Sequence, residues 1–276
     1  MEHNLTQITA AYYTGTGRTE LVVMSVARRL GERLSLPVVE RSYATPYDRR
    51  FPLTFSPTEL AVVGSPTYAG RVPNLMLPYL NTIQGSGTLA VPIVTFGNRA
   101  FDNSLIELRD LLEQGGCRTI GAAAFACQHA FSEVLGKGRP DAEDMGELLA
   151  FADALAEKLL NGPLPDGPIP VEGKPGPDYG GYFAPHDRNG VFIDIRKVKP
   201  LCTDACTQCG LCAELCPMGA IDPDDCTLVP GKCVKCGGCV KFCPLGAKYF
   251  EDPGYLYHKE ELELMYARRA DNAVFL

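Results

Sequence analysis

The sequence predicts an α/β protein of two unequal units: a doubly wound, parallel five-stranded sheet within residues 1–161, and a small α+β module within residues 199–250. Three observations predict it. Short apolar runs alternate with helical stripes through the first 161 residues, and strands alternating with helices imply a parallel sheet with crossovers on its faces. One cysteine pattern is then written twice between Cys206 and Cys243. Between the two, Pro163, Pro165, Pro168, Pro170, Pro175 and Pro177 mark residues 162–198 as an extended linker with a lead-in strand at 191–195, and residues 251–276 follow as a tail with a helix at 259–271.

Residues 7–13 read as a buried first strand. The loop Thr14-Gly15-Thr16-Gly17-Arg18-Thr19 follows, and then Val23, Val26, Ala27, Leu30 and Leu34 stripe one face of a helix. A hydroxyl- and glycine-rich loop between a strand and a helix N-terminus favours an anion, because free amides and the helix dipole point at it. On its own, the loop is equally well a helix-start loop with turn glycines. No Gly-Lys-Ser/Thr follows, and Glu20 stands where a dinucleotide loop has its third glycine. Val38–Ser42 reads as the second strand, 43–58 as an aperiodic connection, and Leu60–Gly64 as the third strand, leading into Pro66-Thr67-Tyr68-Ala69-Gly70. A helix at 74–82 and a fourth strand, Val91–Phe96, come next, ending in Gly97-Asn98-Arg99. Ser104-x-x-Glu107 reads as a capping box for a helix ended by Gly115-Gly116. Arg118–Ala126 reads as the fifth strand, and Leu148, Phe151, Ala152, Leu155 and Leu159 stripe the last helix. With strand order 2-1-3-4-5 the loops after strands one, three and four converge at the carboxyl edge of the sheet. They bring phosphate donors together with Tyr68, Phe96 and Phe101 as flanks for a flat ring. Arg71 and Arg99 read as solvated or facing an anion, and His129 as a minor candidate for acid–base work.

Thr14-x-Thr16-Gly17-x-Thr19 resembles the phosphate loop of flavodoxins, and the segments Pro66–Gly70 and Gly97-Asn98-Arg99 look like the two flavin-contacting loops of that superfamily. The resemblance covers residues 5–161 and implies a flavodoxin-like fold that binds FMN. It places Thr14, Gly15, Thr16, Gly17, Arg18 and Thr19 at the phosphate. Pro66, Thr67, Tyr68, Ala69, Gly70, Phe96, Gly97, Asn98 and Arg99 fall beside the ring. The departure is segment 43–58, where no full second helix is legible.

The cysteine pattern is C-x2-C-x2-C-x3-C-P in both copies. A tight loop with a thiolate every third residue holds three corners of a cubane iron–sulfur cluster, and the fourth corner comes from the other copy. This assigns Cys206, Cys209, Cys212 and Cys243 to one [4Fe-4S] cluster, and Cys233, Cys236, Cys239 and Cys216 to a second. Proline after the last cysteine of each copy fixes φ and removes a donor, turning the chain away from the cluster. Zinc fits less well, since a four-thiolate zinc site needs neither the third cysteine nor the trailing Cys-Pro. A disulfide framework lacks a secretory signal to support it. Residues 199–250 resemble the bacterial two-cluster ferredoxins. Cys202 and Cys226 lie outside the pattern, as do Cys117 and Cys127, which read as small buried hydrophobes.

The chain has 276 residues, 46% of them apolar, and a net charge of −7. Without a basic face nucleic acid is not an expected partner. No apolar run long enough to span a membrane is present. Twelve cysteines point to a reducing compartment, hence to the cytoplasm. The whole chain looks like a flavodoxin–ferredoxin fusion, an arrangement known from anaerobes. That resemblance implies an electron-transfer flavoprotein relaying single electrons between two [4Fe-4S] clusters, FMN and a protein redox partner, itself a ferredoxin- or flavin-linked oxidoreductase. Two alternatives stay open: a ferredoxin-fed, FMN-dependent reductase of a small quinone, nitro or conjugated substrate, and an FMN-free scaffold carrying a ferredoxin.

Overall fold

The computed structural model describes residues 4–276. The chain opens with β1 (Gln7–Tyr12), α1 (Arg18–Leu34) and β2 (Val38–Ser42). The connection to β3 (Glu59–Pro66) carries only a single 3-10 turn, Asp48–Arg50, so this crossover lacks the helix that the sequence also failed to show. After β3 come the one-turn helix α2 (Leu77–Leu80), β4 (Leu89–Phe96), α3 (Ser104–Gln114), β5 (Arg118–Thr119), β6 (Ala122–Ala126) and α4 (Ala142–Asn161). The strands run parallel in the order β2-β1-β3-β4-β6, the expected 2-1-3-4-5 arrangement of a flavodoxin-like sheet.

Both faces of the sheet are covered, which is why its strands read as unbroken apolar runs. Along β3, Ala61 and Val63 join Tyr13, Met76, Leu105 and Leu108 in one core. Their neighbours Leu60 and Val62 join Val23, Leu30, Phe151 and Leu155, from α1 and α4, in the other. The expected fifth strand at 118–126 is split into β5 and β6, both paired with β4. The break falls at Gly121, where a Cβ would stand 2.5 Å from Leu155 Cδ2.

The capping box expected at Ser104 does not form. Asn103 is the N-cap, the Ser104 hydroxyl donates to the Phe101 carbonyl, and the Glu107 carboxylate accepts from Arg71 Nε and the Val72 amide, each at 3.0 Å. A buried arginine without a carboxylate costs more than a helix start without a side-chain cap. The reciprocal capping box lies instead at α4, where Asp141 accepts from the Asp144 amide and Asp144 accepts from the Asp141 amide.

The linker forms no strand at 191–195; a lone bridge joins His186 and Phe192, and the expected turn at Asn189-Gly190 forms with Gly190 at φ 79°. The cysteine module holds β7 (Leu201–Cys202), α5 (Leu211–Glu214), α6 (Gly238–Lys241) and β8 (Lys248–Tyr249), with β7 and β8 antiparallel. Its sequence repeat is also a backbone repeat: left-handed conformations recur at Gln208 and Lys235, at Gly210 and Gly237, and at Gly219 and Gly246. The tail helix is α7 (Pro253–Met265), earlier than expected because Asp252 caps it by accepting from the Tyr255 amide at 2.9 Å and Pro253 fits the first helical turn. The chain ends in β9 (Ala273–Phe275), which adds an antiparallel edge strand beside β6.

This return of the tail rests on buried polar groups. Asn98 Nδ2 donates to the carbonyls of Tyr266 and Arg268, and its Oδ1 accepts from Arg139 and from the Ala270 amide. Asp144, fully buried, accepts from Arg139, Arg269 and Asn272. Burial alone would raise the Asp144 carboxyl, but Arg139, the Asp141 amide and Asn272 outweigh it and hold it below the ordinary carboxylate range. Replacing Asp144 by Ala strands Arg139 without its carboxylate and is expected to cost about 3–5 kcal/mol in urea unfolding at neutral pH. The difference between wild type and variant should be full above the ordinary carboxylate range and shrink as pH falls through and below it. A loss under about 1 kcal/mol, the size of an exposed pair, would contradict this reading.

Candidate functional site

The loops after β1, β3 and β4 meet at the carboxyl edge of the sheet, where the linker and the cysteine module close over them. Together they enclose a cavity of about 1020 Å³. Gly15, Thr16, Arg18 and Thr19 border it from the first loop, Pro66, Thr67, Tyr68, Ala69 and Gly70 from the second, and Phe96, Gly97 and Arg99 from the third.

The first loop is built for an anion. Gly17 is the N-cap of α1, its φ of 77° suits glycine, and no side chain caps the helix. Its first-turn amides are therefore open at that end. In the same loop Thr14 Oγ1 is buried and without a hydrogen-bond partner among the described residues. Buried hydroxyls are normally satisfied, so an orphan in the loop at an uncapped helix start fits a phosphate-bearing ligand. The Thr19 hydroxyl already shares a hydrogen bond with Thr95 at 2.8 Å, and Thr67 shares one with Ser104 at 2.6 Å.

The third loop differs from expectation. Asn98 was expected beside the flavin ring, but its side chain is buried and committed to the tail through the four bonds described above. Thr14, Gly17 and Phe101 do not border the cavity either; Phe101 packs on Phe96 at 5.7 Å between ring centroids. Further aromatic surface comes from segments outside the expected loops: Phe131, and Tyr182, Phe183 and Phe192 of the linker. The linker is strapped down by the Tyr182 hydroxyl donating to the Val72 carbonyl and the Phe183 amide donating to the Ala69 carbonyl, both at 2.8 Å. The only sequence signal for this was a run of aromatics inside a Pro/Gly-rich stretch. Arg71 is not solvated: it pairs with Glu107 and lies near the rings of Tyr179 and Tyr182. Arg99 does reach the cavity, bonded to Asp102 and lying 4.7 Å from the Phe183 ring centroid.

His129 borders the cavity against Gly97, where a Cβ would stand 2.3 Å from its Cδ2. Its Nδ1 accepts from the Phe131 amide at 3.1 Å, which places the proton of the neutral ring on Nε2. Desolvation, helped by His258, Lys241 and Arg99, pushes its pKa down to about 4.

The cysteines divide between two smaller cavities as the sequence pattern divides them. One is bordered by Cys206, Cys209, Cys212 and Cys243, the other by Cys216, Cys233, Cys236 and Cys239. Among the described residues no three His, Cys, Asp or Glu side chains converge as they would on a single metal ion; each quartet surrounds a space instead. Amides already point at the sulfurs: Ala220 N–H at Cys216 and Ala247 N–H at Cys243, both 3.2 Å, and Lys235 N–H at Cys233, 3.3 Å. Burial would raise the Cys243 thiol, but the amides of residues 245–248 outweigh it and lower its pKa. Cys202 and Cys226 join the wall of the first small cavity.

The two quartets stand differently toward the large cavity. Cys233 borders it, and a Cβ on Gly15 of the anion loop would stand 2.6 Å from Cys236 Cβ. Neither holds for Cys206, Cys209, Cys212 or Cys243, and Cys209 is exposed.

A family model described as a 4Fe-4S binding domain matches residues 203–222, and a second with the same description matches 230–251. No curated protein sequence matches the chain. Among solved structures, the chain is similar to the Streptococcus pneumonia TIGR4 flavodoxin, 18% identical over 55% of this chain and 99% of that one, TM-score 0.40. It is similar also to oxidised Flavodoxin 2 from Bacillus cereus, 17% identical over 55% and 99%, TM-score 0.42. A flavodoxin from the domain Archaea is 13% identical over 56% and 100%, TM-score 0.41. The chain joins a flavodoxin-like α/β sheet to a C-terminal region of 4Fe-4S binding domains.

Because the folded pKa of His129 lies below that of a free histidine, the unfolded chain binds the extra proton between the two values. Stability should therefore be full above about pH 6.5 and fall as pH drops toward 4. His129→Gln, which cannot titrate, should remove that part of the slope in urea titrations across this window. An unchanged slope would place His129 in water.

Proposed function

We propose that the protein is an electron-transfer flavoprotein, relaying single electrons between an external redox partner, two [4Fe-4S] clusters and FMN. The observation that carries the reading is the contact of Gly15, in the anion loop, with Cys236, in one of two thiol quartets. A phosphate-binding loop and a cluster-binding loop packed backbone to backbone bring that quartet to the wall of the flavin cavity, which Cys233 itself borders.

In this reading Cys216, Cys233, Cys236 and Cys239 hold the cluster next to the flavin, and Cys206, Cys209, Cys212 and Cys243 hold the cluster toward solvent. The Thr14–Thr19 loop and the open amides of α1 take the FMN phosphate. Pro66–Gly70, Phe96, Gly97 and Arg99 flank the ring, with Tyr182 and Phe183 covering it. FMN supplies the means of exchanging one or two electrons with one-electron carriers. The amides donating to Cys216, Cys233 and Cys243 stabilise negative charge on sulfur, one of the protein's means of setting potential. The exposed Cys209, with Asp204 and Glu214 five residues to either side and Asp225 bonded to the adjacent Gln208, suits a protein partner bearing a cationic patch.

The size of the cavity favours a second reading. At about 1020 Å³ it stands at the upper end of the roughly 300–1,000 Å³ of small-molecule sites. The space suits a ferredoxin-fed, FMN-dependent reductase of a small quinone, nitro or conjugated substrate, to be tested by turnover of an acceptor panel with a low-potential donor.

Anaerobic purification followed by iron, sulfide and flavin analysis tests the principal reading. About eight irons and one FMN per chain are expected. Thr16→Val, which removes a hydroxyl of the anion loop that borders the cavity, is expected to weaken FMN binding by about tenfold, one charge-assisted hydrogen bond, without changing iron content. Eight irons with no FMN retained or taken up would leave a ferredoxin carrying a scaffold domain. Zinc in place of iron would overturn the reading altogether.

A further inference from the structure

Six cysteines, not four, border the cavity assigned to the solvent-side cluster: Cys206, Cys209, Cys212 and Cys243, and with them Cys202 and Cys226. The other quartet has no such company. The two additional thiols are placed unequally. Cys202 neighbours Cys206, and Cys226 neighbours Cys212. Cys226 is 2% exposed and Cys202 half-buried. Both are held from the backbone: the Cys226 amide donates to Gln208 Oε1 at 2.8 Å, its carbonyl accepts from buried Lys248, and Cys202 lies in the β7–β8 pair. A small buried hydrophobe would serve packing equally well at either position. Two thiols facing a thiolate-lined cavity are instead chemically equivalent to its ligands.

We propose that Cys202 and Cys226 are reserve ligands of the solvent-side cluster, Cys202 standing in for Cys206 and Cys226 for Cys212. This rests on the cluster reading of that cavity. The exchange balances simply. The iron–sulfur bond to Cys206 or Cys212 breaks and that thiolate takes up a proton, the reserve thiol gives up its own, and the resulting thiolate forms a new bond to the same iron. Four thiolates remain, so the charge of the cluster and its ligands is unchanged, and no electron is transferred. Cys209 is the exposed ligand and Cys243 comes from the other copy; neither has a cysteine neighbour of this kind. The device would let the outermost cluster survive oxidation of a ligand, and it covers two positions out of four.

The test is iron content of single alanine variants, purified anaerobically beside wild type. Wild type should carry about eight irons, and a wild-type count near zero or four would indict the cluster reading itself rather than the reserve ligands. Cys206→Ala and Cys212→Ala should each keep about eight irons, whereas Cys209→Ala, Cys243→Ala and the doubles Cys202→Ala/Cys206→Ala and Cys212→Ala/Cys226→Ala should fall toward four, or seven with a three-iron signal. Alkylation read by mass spectrometry should find Cys202 reactive in wild type and protected in Cys206→Ala. Loss of iron in Cys206→Ala and Cys212→Ala alike, equal to that in Cys209→Ala, overturns the proposal. Should those variants not accumulate, Cys202→Ala/Cys226→Ala, which keeps all eight assigned ligands, gives the answer. It should start with full iron yet release the solvent-side irons at least severalfold faster under ferricyanide, and a rate equal to wild type overturns the proposal.

Discussion

The structure turns on one steric constraint, the approach of Gly15 to Cys236 and Gly238. No side chain fits there: a Cβ on Gly15 would meet Cys236 Cβ at 2.6 Å, and one on Gly238 would meet the Gly15 carbonyl at 2.4 Å. Two loops of different chemistry, one shaped for an anion and one carrying thiols, thus share a backbone contact. The seam extends through Gly237, whose Cβ would collide with the Ala130 carbonyl, and through Lys241, which donates to the Ser132 carbonyl and pairs with Glu133. A linker with this much proline is an extended, stiff spacer. Here it is strapped across the second loop by Tyr182 and Phe183 and becomes the outer wall of the site.

Charge follows the same plan. The chain as a whole is acidic, at −7, yet among the described residues no carboxylate borders the large cavity, while Arg18, Arg99, Arg196, Lys197, Lys199, Lys232 and Lys235 do. A phosphate and a four-thiolate cluster each bring about two negative charges. Concentrating them in one place is tolerable only where cations are near and carboxylates are absent. Burial pushes the Cys233 thiol up, and the Lys235 amide and ammonium, with Lys199, offset only part of the rise. The acidic residues lie elsewhere, several of them in sequence around the solvent-side quartet, so the surface a partner would meet and the pocket a flavin would enter have opposite sign.

Much of this was legible in the sequence because it is local. Five parallel strands and the helices α1, α3 and α4 follow from periodicity, their order is what the flavodoxin resemblance implies, and the division of eight cysteines between two sites follows from spacing and reappears in two separate cavities. What the sequence concealed is non-local. Glu107 was read as a capping partner because Ser104 stands three residues before it; which group it serves depends on Arg71, buried by the fold from another loop. Asn98 sits where a flavin loop was expected, and nothing local announces that the tail will claim its side chain. The three residues of β9 carry no periodicity at all and exist as a strand only because β6 offers an open edge. Tyr182, Phe183 and Phe192 lie in a linker whose prolines and glycines say nothing of a cavity wall.

The central claim is that the quartet Cys216, Cys233, Cys236 and Cys239 is the flavin's immediate neighbour and the other quartet the port to the outside. The most direct measurement is rapid-mixing reduction of the anaerobic holoprotein by a low-potential one-electron protein donor, following clusters and flavin separately in wild type and in Cys209→Ala and Cys236→Ala variants of measured iron and flavin content. The account predicts that clusters reduce before flavin in wild type, that Cys209→Ala slows entry from the donor, and that Cys236→Ala still accepts electrons at the solvent-side cluster but passes them to the flavin at least tenfold more slowly. Flavin reduction that is unaffected in Cys236→Ala would contradict it.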